Sequence, residues 1–190
     1  MPCKVDCDAY RLGDVYTGYF ERHFDIARVC SFWPSSLACD LASGRVPRQL
    51  FCRSLARAVT DPGTVYVHLR LGDVLDWDVY RPRVGTYVIP VRHYNRTRLP
   101  PGVRRAAIVG NPWYRTRMTG HGRSEAYASE VAAALRARGL AVSMPARSKK
   151  NASAAADDDF RTLVFATHAI LGRGSFAALA TRCRRELARA

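Results

Sequence analysis

The residues best suited to chemistry lie at positions 64–73, a segment that reads TVYVHLRLGD. His68 and Arg70 stand two positions apart in it, and Gly72 and Asp73 close the segment. A guanidinium is permanently charged, and its planar fork of N–H donors matches two phosphate oxygens. Gly72 lets the backbone turn sharply beside that charge, and Asp73 can brace the guanidinium. The spacing predicts a diphosphate site, and an ordinary ion pair between Arg70 and a following aspartate is the alternative.

A β-strand is the element that must position these groups. After the breaker at 61–63, apolar residues alternate with others, namely Val65, Val67 and Leu69 with Tyr66, His68 and Arg70. The alternation predicts a strand that ends in the turn at Gly72. Arg70 would then project from the carboxyl edge of a sheet, where open α/β sheets bind ligands. His68 would share a face with Arg70, and a packed, hydrogen-bonded histidine is a simpler interpretation of it than a base.

A second anion-binding segment is predicted near the C-terminus. Residues 172–176, Gly-Arg-Gly-Ser-Phe, follow a predicted strand at 169–171 and open the last helix. Glycines before a helix N-terminus leave backbone N–H groups for an anion. Gly174 and Ser175 are therefore candidates for a second phosphate grip opposite Arg70.

The middle of the chain has the pattern of a βαβ unit. An apolar strand ends at Gly110 and Asn111, a periodic helix runs from the cap Ser124 to the stop Gly139, and a strand follows at 140–144. Such a unit requires a right-handed parallel crossover. Gly110 and Asn111 would form another wall of the same cleft, and a plain turn is their alternative explanation.

Acidic residues gather at two places. Asp76 and Asp78 flank Trp77 in the loop after the arginine turn, where they could accept a hydroxyl while the indole stacks on a ring. A solvated loop with one buried tryptophan is the alternative. The aspartates at 157–159 precede a predicted helix at 160–168, where the helix dipole favours carboxylates. Capping alone would explain that triplet.

Two of these segments, in the same order, resemble motifs of one enzyme family. The segment HLRLGD at 68–73 resembles the His-x-Arg-x-Gly-Asp signature of the GDP-fucose-dependent fucosyltransferases, which include α-1,2-, α-1,6- and protein O-fucosyltransferases. Asp159-Phe160 and the stretch at 168–176 are similar to a later family motif, in which an acid opens a helix and a strand leads to a Ser/Thr-Phe loop. A weaker similarity is Gly-Tyr-Phe-Glu at 18–21. The resemblance is dense only in these windows and concerns mainly the family's C-terminal, donor-binding half.

The resemblance implies a fold and a reaction. The fold is an α/β Rossmann-like parallel sheet with flanking helices, resembling the nucleotide-sugar-binding half of a GT-B glycosyltransferase. The reaction is transfer of fucose from GDP-fucose to a glycan or protein hydroxyl, with inversion and without a metal or other cofactor. Arg70 would stabilise the charge on the leaving β-phosphate, and Asp73 is the second catalytic candidate, beside Asp76 and Asp78, as a base. Asp159 matches the family acid that lies near the nucleobase or the ribose of the nucleotide.

The full set of candidates combines the residue patterns with this resemblance. The donor-binding candidates are His68, Arg70, Gly72, Gly110, Asn111, Asp159, Gly174, Ser175 and Phe176, and those on the acceptor side are Asp76, Trp77 and Asp78. We expect residues 1–190 to form a single α/β domain, with a mostly helical part at 1–60 and a donor-binding core at 61–190.

The chain departs from the family at two points. It has no Gly-Gly-x-Gly-Asn loop of the kind that opens the family's preceding half-domain, and the family's doubled arginine is Arg70-Leu71 here. Three readings therefore stay open beside a transferase: a non-catalytic nucleotide-sugar-binding domain, a half whose partner is a second chain, and a basic α/β domain that associates with nucleic acid.

The amino-acid composition limits which of these functions the chain could have. The hydrophobic fraction of 48% and charged fraction of 24% are those of a folded globular protein. The net charge of +14 suits an anionic ligand, but the arginines are scattered without basic runs, so we do not expect a nucleic-acid partner. The six cysteines lack zinc-site spacing; disulfides in an oxidising compartment and buried thiols are both open. No apolar run reaches the roughly 18 residues that span a bilayer, and we expect no membrane span.

Overall fold

The computed structural model describes Leu55 and residues 57–76, 87–112, 122–145 and 152–189. Strands and helices alternate along this part of the chain. In chain order they are β1 (Thr64–His68), α1 (Asp73–Asp76), α2 (Val91–Arg96), β2 (Arg105–Val109), α3 (Gly122–Arg136), β3 (Ala141–Ser143), α4 (Ala152–Phe165), β4 (His168–Ile170) and α5 (Ser175–Leu187). Residues 1–54, predicted to be mostly helical, lie outside the described residues.

The strands form one four-stranded sheet with the order β3-β2-β1-β4, and every pairing is parallel. Val67 of β1 pairs with Ile108 of β2 on one side and with Ile170 of β4 on the other. The chain moves outward from β1 to β3 and then returns past β1 to form β4. The direction of winding therefore changes between β1 and β4. The predicted α/β class with a parallel sheet and flanking helices is confirmed, and the arrangement is compatible with a Rossmann-like fold.

The central strand is covered on both faces because its side chains alternate in direction. Val65 and Val67 belong to a buried cluster that includes Val131 and Leu135 of α3. His68, on the opposite face, stacks on Phe176 of α5. Alternate residues of β1 thus serve two different layers of helices. Parallel strands buried on both faces usually read as continuous apolar runs; β1 instead alternates, because aromatic and histidine side chains fill its second face.

Helix α3 ends as predicted but begins earlier. Gly139 has φ of 81°, its N–H donates to the Arg136 carbonyl at 2.8 Å, and the N–H of Leu140 donates to Leu135 at 3.3 Å. These two bonds are those of a Schellman motif. At the other end α3 begins at Gly122, so the prediction that Ser124 is the cap is wrong; Ser124 lies inside the first turn.

Helix α4 corrects the reading of the acidic triplet. It runs from Ala152 to Phe165, and His168 begins strand β4. The aspartates at 157–159 are therefore in the helix interior, and the prediction that they cap a helix starting at Phe160 is wrong. The alanines that follow Ala152 are strong helix formers, which accounts for the earlier start.

Two arginine side chains tie helix ends to neighbouring elements by hydrogen bonds. The guanidinium of Arg138, just after α3, donates to the carbonyls of Tyr94 and Thr97 at the end of α2. The guanidinium of Arg184 in α5 donates to the Leu163 carbonyl at 2.8 Å and also to the Ala166 carbonyl beyond α4.

Cys183, fully buried in α5, takes part in a disulfide bond. Within the described ranges no helix has the length and apolar character needed to cross a membrane.

Candidate functional site

The candidate site lies at the carboxyl edge of the sheet, between the ends of β1 and β4. The pairing of β1 with β2 continues to Leu69, whose N–H donates to the Val109 carbonyl at 2.8 Å. Arg70 is the next residue and is half-buried, with its Nη1 donating to the Leu71 carbonyl at 3.1 Å. In doubly wound α/β sheets, ligands bind at the carboxyl edge where the winding direction changes. Arg70 follows β1 at this edge, where the sequence predicted it; the change in winding direction there is given by the strand order.

His68 lies at the same point and is almost completely buried. Its ring stacks on Phe176 with the ring centres 5.2 Å apart and an angle of 27° between the planes. Nδ1 is buried and makes no hydrogen bond within the described part of the chain. Burial, and secondarily the charge of Arg70, lower the pKa of His68 to about 3. The imidazole is therefore neutral near pH 7 and adds no charge to this edge of the sheet.

Gly172 allows the loop after β4 to approach β1 closely. A Cβ atom at this position would lie 2.8 Å from Nδ1 of His68 and 2.8 Å from its carbonyl oxygen. Real Cβ atoms do not come so near, and backbone cannot move aside cheaply. Position 172 therefore requires glycine. Gly172 belongs to the predicted phosphate-binding segment, and it is also where the loop after β4 packs against the end of β1.

The loop continues into the N-terminus of α5. Gly174 is the N-cap residue, with φ of 96°, a left-handed conformation that favours glycine. The first backbone N–H groups of a helix have no partner within the helix, and the dipole favours an anion there. Phe176 also meets Phe160 of α4 edge-on, with ring centres 5.4 Å apart. Through Phe176, the start of α5 packs against His68, so the predicted second grip lies at the same sheet edge as the end of β1.

The turn after Arg70 is joined to α3 by a buried link. Gly72 has φ of 81°, and its N–H donates to Oγ of Ser124 at 2.8 Å. Ser124, fully buried, donates in turn to the carboxylate of Asp76, and Oδ1 of Asp76 accepts the Arg123 N–H at 3.0 Å. Sequence reasoning missed this link. The available signal was the serine in the first turn of α3, which was interpreted only as a cap.

The remaining candidates fall into three groups. Gly110 packs against β1, where an added Cβ would lie 2.6 Å from the Leu69 carbonyl oxygen, and Asn111 follows it half-buried. Asp159 is buried on α4 directly before Phe160, which touches the site. Trp77, Asp78 and the side chains of Asp73 and Ser175 lie outside the described residues.

A search for metal ligands and the comparisons with known proteins add no further feature to the site. Within the described part of the chain, no cluster of three or more His, Cys, Asp or Glu side chains could hold a metal ion. The chain as a whole matches no family model, no curated protein and no solved structure. A functional conclusion therefore depends on the geometry of the carboxyl edge and on the resemblance of the short motifs.

Proposed function

We propose that this chain binds a nucleotide sugar through its diphosphate and transfers fucose from GDP-fucose to a hydroxyl acceptor. The observation that carries the proposal is the position of Arg70. It follows the neutral, buried His68 by two positions, at the sheet edge where the glycine-led α5 begins and where the winding of the sheet reverses. A permanent cation and a row of backbone N–H groups are the groups that recur around diphosphates. The order of the two motifs, which resembles that in the fucosyltransferases, supports GDP-fucose as the donor.

The chemistry assigns each group a task. The acceptor oxygen attacks C1 of fucose from the face opposite the diphosphate, the bond from C1 to the β-phosphate oxygen breaks, and GDP leaves with the bonding electrons. The acceptor proton passes to a base, for which Asp73 is our candidate. Arg70 and the N–H groups of α5 stabilise the charge that grows on the β-phosphate. His68, neutral at this pH, packs against Phe176 and does not neutralise charge. We further propose that this domain is the donor-binding half of a transferase with a GT-B-like fold.

Binding without transfer is the second candidate. One observation favours it: the Asp76 carboxylate, placed by sequence on the acceptor side, already accepts hydrogen bonds from the Arg123 N–H and the Ser124 hydroxyl. An aspartate held in this way is a poor general base for an acceptor. A second chain that supplies the acceptor side would reconcile this observation with transfer.

Calorimetric titration of GDP, GDP-fucose and UDP at physiological salt tests the proposal. We expect both guanosine ligands to bind the wild type, UDP to bind more weakly, and Arg70→Ala to weaken GDP by about tenfold to a hundredfold, the loss expected for charge-assisted hydrogen bonds. Arg104→Ala is the matched control, since Arg104 is exposed at the opposite edge, and it should bind GDP as the wild type does.

The outcomes separate the candidates. Absence of GDP binding, or equal losses in Arg70→Ala and Arg104→Ala, would contradict a diphosphate site at Arg70. If GDP-fucose binds but releases no GDP in the presence of varied acceptors, the chain is a binding domain. Binding to RNA with a steep salt dependence that Arg70→Ala leaves unchanged would favour the nucleic-acid alternative.

A further inference from the structure

The turn that carries Arg70 is fixed from two sides. On its own side, the Gly72 carbonyl accepts the N–H groups of Leu75 and Asp76, each at 3.0 Å, which forms the short helix α1. On the other side, the Gly72 N–H donates to Oγ of Ser124 at 2.8 Å. Arg70 lies beyond the β1–β2 pairing, so the sheet does not hold this turn. The link to Ser124 anchors it to the first turn of α3.

A serine hydroxyl is suited to this link because it can accept and donate at the same time. Ser124 accepts from Gly72 and donates to the Asp76 carboxylate, and the side chain is fully buried. Loss of the hydroxyl would leave the Gly72 N–H without its acceptor in a buried site, which is costly. The turn would be expected to shift so as to regain a partner, and Arg70, two residues earlier, would move with it.

We propose that Ser124 is a positioning residue for the diphosphate site, acting on Arg70 through Gly72 and supported by Asp76. This inference rests on the proposed function. It identifies a residue on α3, far from Arg70 in sequence, that sets where the guanidinium stands. Ser124 itself touches no ligand in this proposal.

A double-mutant cycle on GDP affinity tests it. Wild type, Ser124→Ala, Arg70→Ala and the double variant are titrated with GDP by calorimetry, at a temperature where circular dichroism shows each to be folded. We expect Ser124→Ala to weaken GDP about tenfold in the wild-type background. In the Arg70→Ala background we expect it to have no further effect, because the guanidinium that it positions is gone.

Two variants guard this result. Ser143→Ala removes a serine hydroxyl on β3 whose hydrogen bond within the described part of the chain is a long one, to the Ala106 carbonyl at 3.5 Å, and it should leave GDP affinity unchanged. Asp76→Asn keeps oxygen at the link but removes its charge, and it should weaken GDP less than Ser124→Ala and with the same dependence on Arg70. If Ser124→Ala does not fold, Asp76→Asn decides the question. Equal losses in both Arg70 backgrounds, or no loss in the wild-type background, would overturn the proposal.

Hydrogen exchange separates this inference from the proposed function. If the wild type fails to bind GDP, the proposed function fails, and exchange at the Gly72 amide still reports on the link. Faster exchange at residues 70–73 in Ser124→Ala, with no change in Ser143→Ala, would support the positioning of the turn by Ser124. Unchanged exchange at Gly72 would overturn it.

Discussion

The two edges of the sheet use arginine in opposite ways. At the amino edge, where the flanking helices end, Arg138 and Arg184 donate to backbone carbonyls at the ends of α2 and α4. At the carboxyl edge, Arg70 follows the end of β1, and α5 begins at the same edge with its free backbone N–H groups. Because the helices of an α/β unit run antiparallel to the strands, carbonyls collect at one edge and N–H groups at the other. An arginine at the first edge completes the fold; one at the second edge faces the place where an anion would bind.

This contrast shows that part of the net charge of +14 serves the fold and does not indicate a ligand. Arginines in the last turns of α2, α3 and α5 complement the negative ends of those helices, and they include Arg96, Arg136 and Arg185. Such residues contribute to the net charge without forming a ligand site. The position of an arginine relative to a helix end is therefore more informative about function than the total.

The largest effect that we expect at the carboxyl edge is acid sensitivity from His68. Its folded pKa of about 3 lies below the ordinary 6.5, so between these values the unfolded chain binds the proton that the folded chain excludes. Stability is then fully present above pH 6.5 and falls as the pH is lowered. Linkage gives a loss on the order of 3 kcal/mol by pH 4.5. Urea unfolding across this range should show that extra slope in the wild type and not in His68→Leu.

An amino-edge variant gives the control for this measurement. Arg184→Ala should keep the wild-type slope, because it leaves His68 in place. If His68→Leu and the wild type lose stability in parallel on acidification, the buried, neutral state of His68 is wrong, and with it one of the features that distinguish the two edges.

Close packing at the carboxyl edge predicts the next effect. Gly172→Ala should cost about 2 kcal/mol, a typical penalty for overpacking, because its Cβ would lie 2.8 Å from the His68 carbonyl oxygen. Gly122→Ala is the matched change, since a Cβ there meets nothing within 4 Å, and it should be neutral or slightly stabilising in a helix. Chemical denaturation of both variants decides this. Equal effects would show that the strand ends are looser than described.

The smallest of the three effects concerns the amino edge. Arg184→Ala should cost about 1.5 kcal/mol, the lower end for hydrogen bonds to a charged group, because the guanidinium is only half-buried. Arg185→Ala, its exposed neighbour, should change stability by less than about 0.5 kcal/mol. Neither should alter GDP affinity. A loss of GDP binding in Arg184→Ala without a loss of stability would break the distinction between the edges.

The sequence predicted the strands better than the helix ends, for a physical reason. Alternating apolar residues and the breaker before Thr64 locate β1 because both signals are local. The start of α4 at Ala152 was missed because the aspartates at 157–159 were interpreted as the start of the helix, although the alanines before them also favour a helix. Arg70 after β1 and Gly174 after β4 were predicted to lie at the carboxyl ends of parallel strands, and these ends coincide at one edge of the sheet.

The contacts that tie the site together could not be predicted in this way. Ser124 meets Gly72 across 52 positions of sequence, and the pairing depends on how α3 docks against the turn. The engagement of Asp76 depends on the same docking, so a loop acid that looked available to a substrate proves to be a structural link. Such outcomes are set by tertiary packing, which no local pattern encodes.

The place of β4 in the sheet also constrains how the protein folds. β1 pairs with β2 across a connection that contains α1 and α2, but its other edge pairs with β4, which comes much later in the chain, with His168 opposite Val65. Contacts so distant in sequence close slowly, because the chain loses loop entropy before it gains their energy. During synthesis, one edge of the central strand therefore stays without its native partner until the chain has passed residue 170. That nascent interval is when the protein is most exposed to mispairing with other strands.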